Sequence, residues 1–168
     1  MKLLACVFET QLGWFGLVGV KQTVWRVTIG HHRCDAAWVD LRTRCGDGFL
    51  AEQDWYPQLK RKLVDFAAGR CVTFDDIKIP DETRTEFQRK VLLATRAIGF
   101  GETVSYGDLA ARVGSPRAAR AVGTVMASNR IPIIIPCHRV VGTRGELTGF
   151  SAPRGIHLKR QLLELERL

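Results

Sequence analysis

Hydrophobic and polar residues alternate along the first part of the chain. Residues 2–9 and 14–29 are rich in β-branched and aromatic side chains and are separated by turn residues, among them Gly13 and Gly19. Alternation with a period of two residues, interrupted by glycines, is typical of short antiparallel strands. The pattern therefore predicts an antiparallel meander, followed by an irregular segment over residues 30–53, where no period is sustained.

Apolar residues recur at helical spacing in five later segments. The first covers residues 54–68 and is stopped by Gly69. The second begins at a capping box formed by Thr83 and Glu86, and its apolar stripe ends at Ile98. The other three predicted helices cover residues 106–113, 116–127 and 156–167.

The residues around position 80 have the composition of a linker, with Lys78, Pro80 and Asp81 before a new helical pattern. We therefore place a domain boundary there. Residues 1–80 are predicted to form an α/β N-terminal domain with a small antiparallel sheet and a helix. Residues 81–168 are predicted to form a mainly α C-terminal domain that contains a helix-turn-helix.

The predicted helix-turn-helix is centred on a tight turn at residues 114–116. Ser115 is predicted to cap the second helix and Pro116 to be its first residue. That helix is lined with alanine and glycine, and its long side chains include Arg117 and Arg120. A smooth surface of this kind suits close helix packing, but together with the arginines it suits a nucleic-acid groove. We therefore predict that Arg120 probes the groove.

The net charge of +8 is concentrated in the second half of the chain. Residues 81–168 carry 14 Lys and Arg against 8 Asp and Glu, whereas residues 1–80 carry 11 against 9. From Arg112 to Arg144 there are six arginines and no acidic residue. The distribution indicates a polyanionic partner, with a merely solubilising surface as the alternative.

The cysteines and the N-terminus indicate the compartment. Five scattered cysteines without a Cys-x-x-Cys pair argue against a disulfide framework and for a reducing environment. The apolar start resembles a signal peptide, but Glu9 ends it early and no stretch is long enough to span a membrane. We therefore expect an intracellular soluble protein, cytoplasmic or, in a eukaryote, nuclear.

The candidate chemistry follows an apolar run from Ile131 to Ile135. The run predicts a strand or extended segment buried on both sides. Pro136 cannot continue a strand ladder, so a turn is predicted to begin there and to present Cys137 and His138. Cys137 is then either a reactive thiol held in a pocket or, as is common for free cysteines, an inert buried side chain.

A reactive Cys137 needs a base. A thiol with a pKa of about 8.5 is only roughly 3% ionised at neutral pH, and apolar burial lowers that fraction. His138 is the nearest candidate in sequence, although neighbouring residues of a regular strand point to opposite faces. Glu166 lies beside the apolar stripe of the last helix, and is either a partner of this pair or a solvated terminal residue.

Several of these residues stand in one pattern. Tyr106, Arg120, Asn129 and the segment Pro-Cys-His-Arg-Val at 136–140, with Gly149, Ser151 and Glu166, resemble the O6-alkylguanine-DNA alkyltransferases, also called methylated-DNA–protein-cysteine methyltransferases. The resemblance covers residues 83–168 closely and residues 1–80 loosely. It implies stoichiometric DNA repair, in which an alkyl group passes from O6 of guanine to a cysteine that is not regenerated.

The resemblance also implies roles for single residues. Cys137 would accept the alkyl group, His138 would take the thiol proton through a water molecule, Glu166 would orient His138, and Asn129 would hold the turn before the site. No cofactor is implied. The implied partner is double-stranded DNA that contains alkylated guanine, and we expect a monomer without a membrane partner.

The implied DNA and substrate contacts lie on both sides of Cys137. Arg120 would fill the gap left by the extruded nucleotide, because a base must leave the stack before O6 can be reached. Tyr106 would aid flipping and bind the guanine, Val140 and Cys137 would contact it through the backbone, and Ser151 would contact O6. The remaining predicted contacts are Ser115, Arg117 and Thr143 with DNA and Phe150 with the substrate.

The sequence departs from the family pattern at three places. Phe150 replaces a tyrosine of many members, which removes a hydroxyl from the pocket, and residues 152–154 differ from the glycine-rich loop of some relatives. Cys6, His31, His32 and Cys34 match no standard zinc spacing. Val20 and Trp25 stand where zinc ligands of some members are expected, so we predict no structural zinc.

Two other functions fit the same residues. One is a helix-turn-helix protein that binds DNA or alkylated bases without transfer, with Cys137 inert. The other is a thiol hydrolase that uses Cys137 and His138 and makes many product molecules per protein. Cysteine as the acceptor separates the chain from the alkyltransferase-like proteins, which have tryptophan at that position.

Overall fold

The structure, a computed structural model, describes residues 2–46, 50–80 and 84–167. The chain divides into two compact units. The first unit consists of Met1–Pro80 with Ala152–Arg154, and the second consists of Asp81–Ser151 with Gly155–Leu168. Within the described residues, no helix is both long and apolar enough to cross a membrane.

The first unit contains a four-stranded sheet. Strands β1 (Leu3–Thr10), β2 (Gly13–Val20) and β3 (Thr23–His31) form the predicted antiparallel meander, which is confirmed. Strand β4 (Leu50–Glu52) adds to the free edge of β1 in parallel, so the strand order is β3-β2-β1-β4. The sheet is therefore mixed, and the prediction of a purely antiparallel sheet was wrong because β4 lay in the segment assigned as irregular.

Two helices pack on this sheet. Helix α2 (Pro57–Ala67) is the predicted one, and it buries Leu59, Leu63 and Phe66. Helix α1 (Cys34–Cys45) lies within residues 30–53, where no element was predicted. It has no continuous apolar stripe, and of its residues only Ala37 and Leu41 are buried, so its sequence carries little periodic signal.

Close packing of α1 requires a glycine in the sheet. Leu41 packs with Ala5 and Val18 in one buried cluster. A Cβ atom at Gly16, on β2, would lie 2.8 Å from Cδ1 of Leu41 and 3.0 Å from Cγ2 of Thr28. Because such contacts are shorter than packed atoms tolerate, Gly16 is what lets α1 approach the strands.

The second unit is mainly helical. Its helices are α3 (Glu86–Arg96), α4 (Tyr106–Arg112), α5 (Ala119–Ala127) and α6 (Ile156–Leu165). Short strands β5 (Val104–Ser105) and β6 (Val140–Val141) pair in parallel. All four predicted helices of this half are present, and each buries part of its apolar stripe. The small mixed sheet of the first unit and the helices of the second thus give an α/β unit followed by a helical one.

Two helix starts differ from the prediction. Helix α3 is capped by Thr85, whose side chain and that of Gln88 form the capping box, and the predicted cap Thr83 lies outside the described residues. Helix α5 begins at Ala119, so Ser115 is not its N-cap. The backbone N–H of Ala118 instead donates to the Ser115 carbonyl at 2.9 Å, and Pro116 lies inside this turn.

The isoleucine run forms a buried tight turn, so the predicted strand was wrong. The Ile135 N–H donates to the Ile131 carbonyl at 2.9 Å, and Ile133 has a φ of +72°, which is rare for a β-branched residue. Asn129 braces the turn: its Nδ2 donates to the Ile135 carbonyl at 2.9 Å, and its Oδ1 accepts from the Ile131 N–H at 3.0 Å. A 3₁₀ turn at Cys137–Arg139 follows Pro136, as the proline predicted.

Candidate active site

The thiol of Cys137 lies at the start of the 3₁₀ turn, in the second unit. The residue is 7% exposed. Burial raises the pKa of the thiol, while a hydrogen bond with the Asn129 side chain, the positive charge of Lys159 and the backbone N–H groups of the turn act in the opposite direction. The net effect is a raised pKa, so the resting group is a protonated thiol that needs a base before it can attack.

The candidate base, His138, is the next residue in the sequence. His138 is fully buried, and its Nε2 lies 2.6 Å from Oε1 of Glu166, which follows the end of α6. A carboxylate only accepts hydrogen bonds, so Nε2 carries the proton of this pair. In a neutral imidazole the other ring nitrogen, Nδ1, then has the lone pair that can accept a proton.

Glu166 is held by more than the histidine. It is 5% exposed, and it also accepts hydrogen bonds from Nε and Nη2 of Arg139, both at 2.9 Å, and from the Gly101 N–H at 3.0 Å. Burial alone would raise its pKa, but the bonds from His138 and Arg139 lower it to about 2. Glu166 is thus a fixed negative charge, and the solvated alternative is excluded.

The imidazole is neutral at rest. Burial lowers the pKa of His138, and the charges of Arg139 and Lys159 lower it further, against the hydrogen bond and charge of Glu166, which raise it. A neutral imidazole within reach of a neutral thiol, directly or through a water molecule, can take the thiol proton and form a thiolate–imidazolium pair. The arrangement is therefore suited to nucleophilic attack by sulfur.

A cavity of about 620 Å³ opens in the same unit. It is bordered by α4, α5 and the loop that follows β6. Its lining residues are Tyr106, Ala119, Arg120, Gly123, Met126, Ala127, Thr148, Gly149, Phe150 and Ser151. The small residues of α5 form one wall, and Arg120 stands exposed at it.

A buried lysine joins the cavity wall to the 3₁₀ turn. Lys159 on α6 is 1% exposed, and its Nζ donates to the carbonyls of Val140 at 2.8 Å and Thr148 at 3.1 Å, and to Oη of Tyr106 at 3.4 Å. These partners are all uncharged. Sequence analysis missed Lys159, although its place between Leu158 and Leu162 in the apolar stripe of α6 was a signal.

Most of the predicted site residues fall into two groups in the structure. Cys137, His138, Glu166 and Asn129 are brought together, and Tyr106, Arg120, Phe150 and Ser151 line the cavity. Val140 is buried on β6 and offers its carbonyl to Lys159. The other three, Ser115, Arg117 and Thr143, are not among the residues that line the cavity and lie in turns.

The residues weighed for zinc lie in the first unit. Cys6 is buried on β1, where burial, together with the charge of Asp54, raises the pKa of its thiol to about 11. His31 ends β3, and its Nε2 lies 2.6 Å from Oγ1 of Thr28, which in turn donates to Asp40 at 2.7 Å. Both side chains are thus occupied by packing or by local hydrogen bonds.

The buried thiol of Cys137, the buried pair of His138 and Glu166, and a cavity in the same unit with Arg120 in its wall form an arrangement suited to a protein that acts through a nucleophilic cysteine. Known proteins narrow this class. The sequence profile of the family described as "6-O-methylguanine DNA methyltransferase, DNA binding domain" matches residues 86–168.

Relatives match over a longer part of the chain. The constitutive methylated-DNA–protein-cysteine methyltransferase of Bacillus subtilis is 39% identical over 161 residues, which are 95% of this chain and 93% of that protein. The methyltransferase of the same name from Methanosarcina acetivorans is 41% identical over 120 residues, 71% of this chain and 74% of that protein. The chain belongs to the family of methylated-DNA–protein-cysteine methyltransferases.

Solved structures agree with this membership. The crystal structure of Mycobacterium tuberculosis OGT in complex with DNA matches with a TM-score of 0.80 and 32% sequence identity. The match covers 98% of this chain and 92% of that one. The architecture of the two units is therefore the architecture of the family.

Proposed function

We propose that the protein repairs duplex DNA by transferring an alkyl group, chiefly methyl, from O6 of guanine to Cys137, once per molecule. Family membership supports the reaction type. The single observation that supports Cys137 as the acceptor is its position beside His138, whose other nitrogen is bound to the buried carboxylate of Glu166. The alternative, a DNA-binding protein without transfer, does not require a buried hydrogen bond between His138 and Glu166.

The proposed reaction uses the geometry of the 3₁₀ turn. His138 takes the thiol proton of Cys137 through a water molecule, and the resulting imidazolium is stabilised by Glu166. The sulfur attacks the alkyl carbon, an S–C bond forms, and the bond from that carbon to O6 breaks. The guanine leaves with the electron pair and takes up a proton, while the thioether on Cys137 is stable and ends the activity of the molecule.

Tyr106 is proposed as a hydrogen-bond donor to the guanine. Its Oη accepts hydrogen bonds from Lys159 at 3.4 Å and from Oγ1 of Thr148 at 3.2 Å. A phenol oxygen that accepts two bonds directs its own proton elsewhere, and Tyr106 also lines the cavity. Ser151, proposed to contact O6, donates its hydroxyl to the Ala127 carbonyl at 3.0 Å in the free protein and has to release it for that contact.

The DNA interface is proposed to be a helix-turn-helix formed by α4, the turn before Ala119, and α5. Alanine and glycine on α5 let the helix approach the duplex, and exposed arginines contact phosphates. Flipping the damaged nucleotide costs a few kcal/mol, which Arg120 offsets by occupying the gap. Ser115, Arg117 and Thr143 are proposed as further DNA contacts because they lie in turns of the same unit.

We propose that the two halves of the chain have different functions. Residues 81–168 bind DNA and accept the alkyl group, whereas residues 1–80 form the accompanying α/β domain. The monomeric state and the intracellular location stay predictions.

Mass spectrometry tests the proposal directly. The protein is incubated with a duplex that contains one O6-methylguanine, and both the intact mass and the peptide that contains Cys137 are measured. We expect the gain of one methyl group on Cys137 and at most one methyl per protein. An unmodified Cys137 in a folded, DNA-bound protein would leave the binding-only alternative, and many demethylated duplexes per protein would leave the hydrolase.

Arg120→Ala is expected to slow repair of duplex DNA about tenfold more than reaction with the free base O6-methylguanine. The reason is that only the duplex requires a gap to be filled, and a tenfold change corresponds to about 1.4 kcal/mol. Single-turnover rates on the two substrates measure the difference. Arg89→Ala, on the exposed side of α3, serves as the matched loss of one positive charge. Equal losses on both substrates would refute the gap-filling role.

A further inference from the structure

The reaction proposed above needs His138 as a neutral base, although the imidazole touches a carboxylate. A buried histidine that is hydrogen-bonded to a lone carboxylate tends to become imidazolium, because the pair of opposite charges is favoured over a single buried negative charge. An imidazolium cannot accept the thiol proton of Cys137. Burial opposes the charged imidazole, and a positive charge that balances Glu166 favours the neutral form further.

Arg139 is placed to do this. The residue is 7% exposed, and its Nε and Nη2 bind both oxygens of Glu166, at distances between 2.9 and 3.2 Å. Its Nη1 donates to the Ile98 carbonyl at 2.6 Å, and its guanidinium lies 5.9 Å from the centre of the Phe100 ring. The guanidinium is thus fixed to the segment after α3, and it holds the carboxylate whether or not His138 carries a charge.

We propose that Arg139 is a positioning residue that neutralises Glu166 and thereby keeps His138 a neutral base with its proton on Nε2. The inference rests on the proposed function, since it explains how the same carboxylate can orient the base without protonating it. Glu166 and Arg139 together carry no net charge. A neutral imidazole then adds none, and imidazolium becomes favourable only when the thiolate forms beside it.

The groups around the imidazole support this balance. The 3₁₀ turn brings Cys137 and Arg139, and α6 with the residue after it brings Lys159 and Glu166. From the end of α3 and the loop that follows, the Ile98 carbonyl and the Gly101 N–H, both uncharged, complete the contacts of Arg139 and Glu166. Burial is the largest cause of the lowered pKa of His138, and the charge of Arg139 acts in the same direction.

The test is the pH profile of methyl transfer under single-turnover conditions, from roughly pH 5 to 9. Because His138 acts as a base above its pKa, a lowered pKa keeps the wild-type rate high in mildly acidic solution. Arg139→Met removes the charge that balances Glu166, so the pKa of His138 rises and the acidic limb moves upward. At about pH 6 we expect the variant to fall to roughly a tenth of its own plateau rate while the wild type stays near its plateau.

Two variants separate this role from a structural one. Arg139→Lys keeps the charge and loses the two-pronged contact, so its plateau falls while its acidic limb stays close to that of the wild type. Glu166→Gln removes the negative charge, so its acidic limb moves to lower pH. A uniform loss of rate in Arg139→Met, with an unmoved limb, would mean that Arg139 merely supports the fold, and would overturn the proposal.

A second measurement is made on the wild-type protein and needs no substitution at Arg139 or Glu166. The chain has 4 histidines, and ¹⁵N labelling of their rings reports which nitrogen of each is protonated. The His138 signals are assigned by their loss in His138→Ala. At about pH 6.5 we expect the neutral form with the proton on Nε2, whereas imidazolium at that pH overturns the proposal. If Cys137 of the wild type gains no methyl group, the proposed function is refuted. The ¹⁵N signals of His138 still test the role of Arg139, because they do not depend on methyl transfer.

Discussion

Replacing Cys137 with alanine is expected to abolish alkyl transfer and to leave the affinity for DNA nearly unchanged. The sulfur is the only group that the proposed reaction consumes, so no slower route remains without it. Affinity for DNA arises mainly from contacts of arginine and lysine with phosphates, to which a buried, uncharged side chain contributes little. Loss of methyl gain by intact mass, with binding measured at a fixed salt concentration, checks both parts.

Cys71→Ala is the matched control, because Cys71 is an exposed cysteine of the first unit. We expect this variant to gain one methyl at the wild-type rate. Transfer that survives in Cys137→Ala, or that is lost in Cys71→Ala, would place the acceptor elsewhere. A marked loss of DNA affinity in Cys137→Ala would show that the thiol region shapes the interface.

Replacing Lys159 with methionine is expected to lower the transfer rate about a hundredfold. Its ammonium is buried with uncharged partners, and its charge favours the ionised thiol of Cys137. A rise of one unit in the pKa of Cys137 reduces the thiolate about tenfold at neutral pH. We expect a second factor of about ten from the loss of the hydrogen bond that Lys159 donates to Tyr106, because Tyr106 is proposed to donate its own proton to the guanine.

Comparison of two variants separates the effect of the Lys159 charge on the rate from the effect of its hydrogen bonds. Lys159→Gln keeps donor groups without the charge, so the difference between the wild type and Lys159→Gln measures the charge. The difference between the Gln and Met variants measures the hydrogen bonds. Arg160→Met removes a charge from the exposed side of the same helix and is expected to retain the full rate on free base. Denaturant unfolding of each variant shows whether a lower rate reflects lost folding; an unimpaired, folded Lys159→Met protein would contradict the role.

Secondary structure was predictable where one face of an element is buried. Helices α3 and α6 have apolar stripes that their sequences show, and the meander shows the alternation of two faces. Helix α1 was missed because Ala37 and Leu41 are its only buried residues. Its sequence therefore shows no helical repeat of apolar residues. Its existence depends on contacts with strands that come earlier in the chain.

The isoleucine run shows the limit of composition as a guide. Its isoleucines are buried, as predicted, yet they form a turn rather than a strand. A buried strand and a buried turn require the same apolar residues, and the left-handed backbone of Ile133 is not marked by a glycine. The hydrogen bonds of Asn129 with Ile131 and Ile135 distinguish the turn from a strand, and hydrogen bonds of this kind cannot be read from composition.

The candidate site was predictable to the extent that its residues form a recognisable pattern. Cys137, His138 and Glu166 were named from that pattern, and the structure brings them together, although their roles stay predictions. The contributions of Arg139 and Lys159 were not foreseen. Charged residues are usually solvated, and which of them turn inward depends on the carbonyls and carboxylates that the fold places around them.

The burial of Cys137 has a consequence for the protein once that thiol carries an alkyl group. Cys137 is buried. It follows the turn that Asn129 holds, and it precedes His138, which is hydrogen-bonded to Glu166. One additional carbon there exceeds the volume for which the interior is packed, and overpacking of a core commonly costs about 1–3 kcal/mol. If Cys137 is the acceptor, we therefore expect the alkylated protein to unfold at a lower denaturant concentration than the unmodified protein.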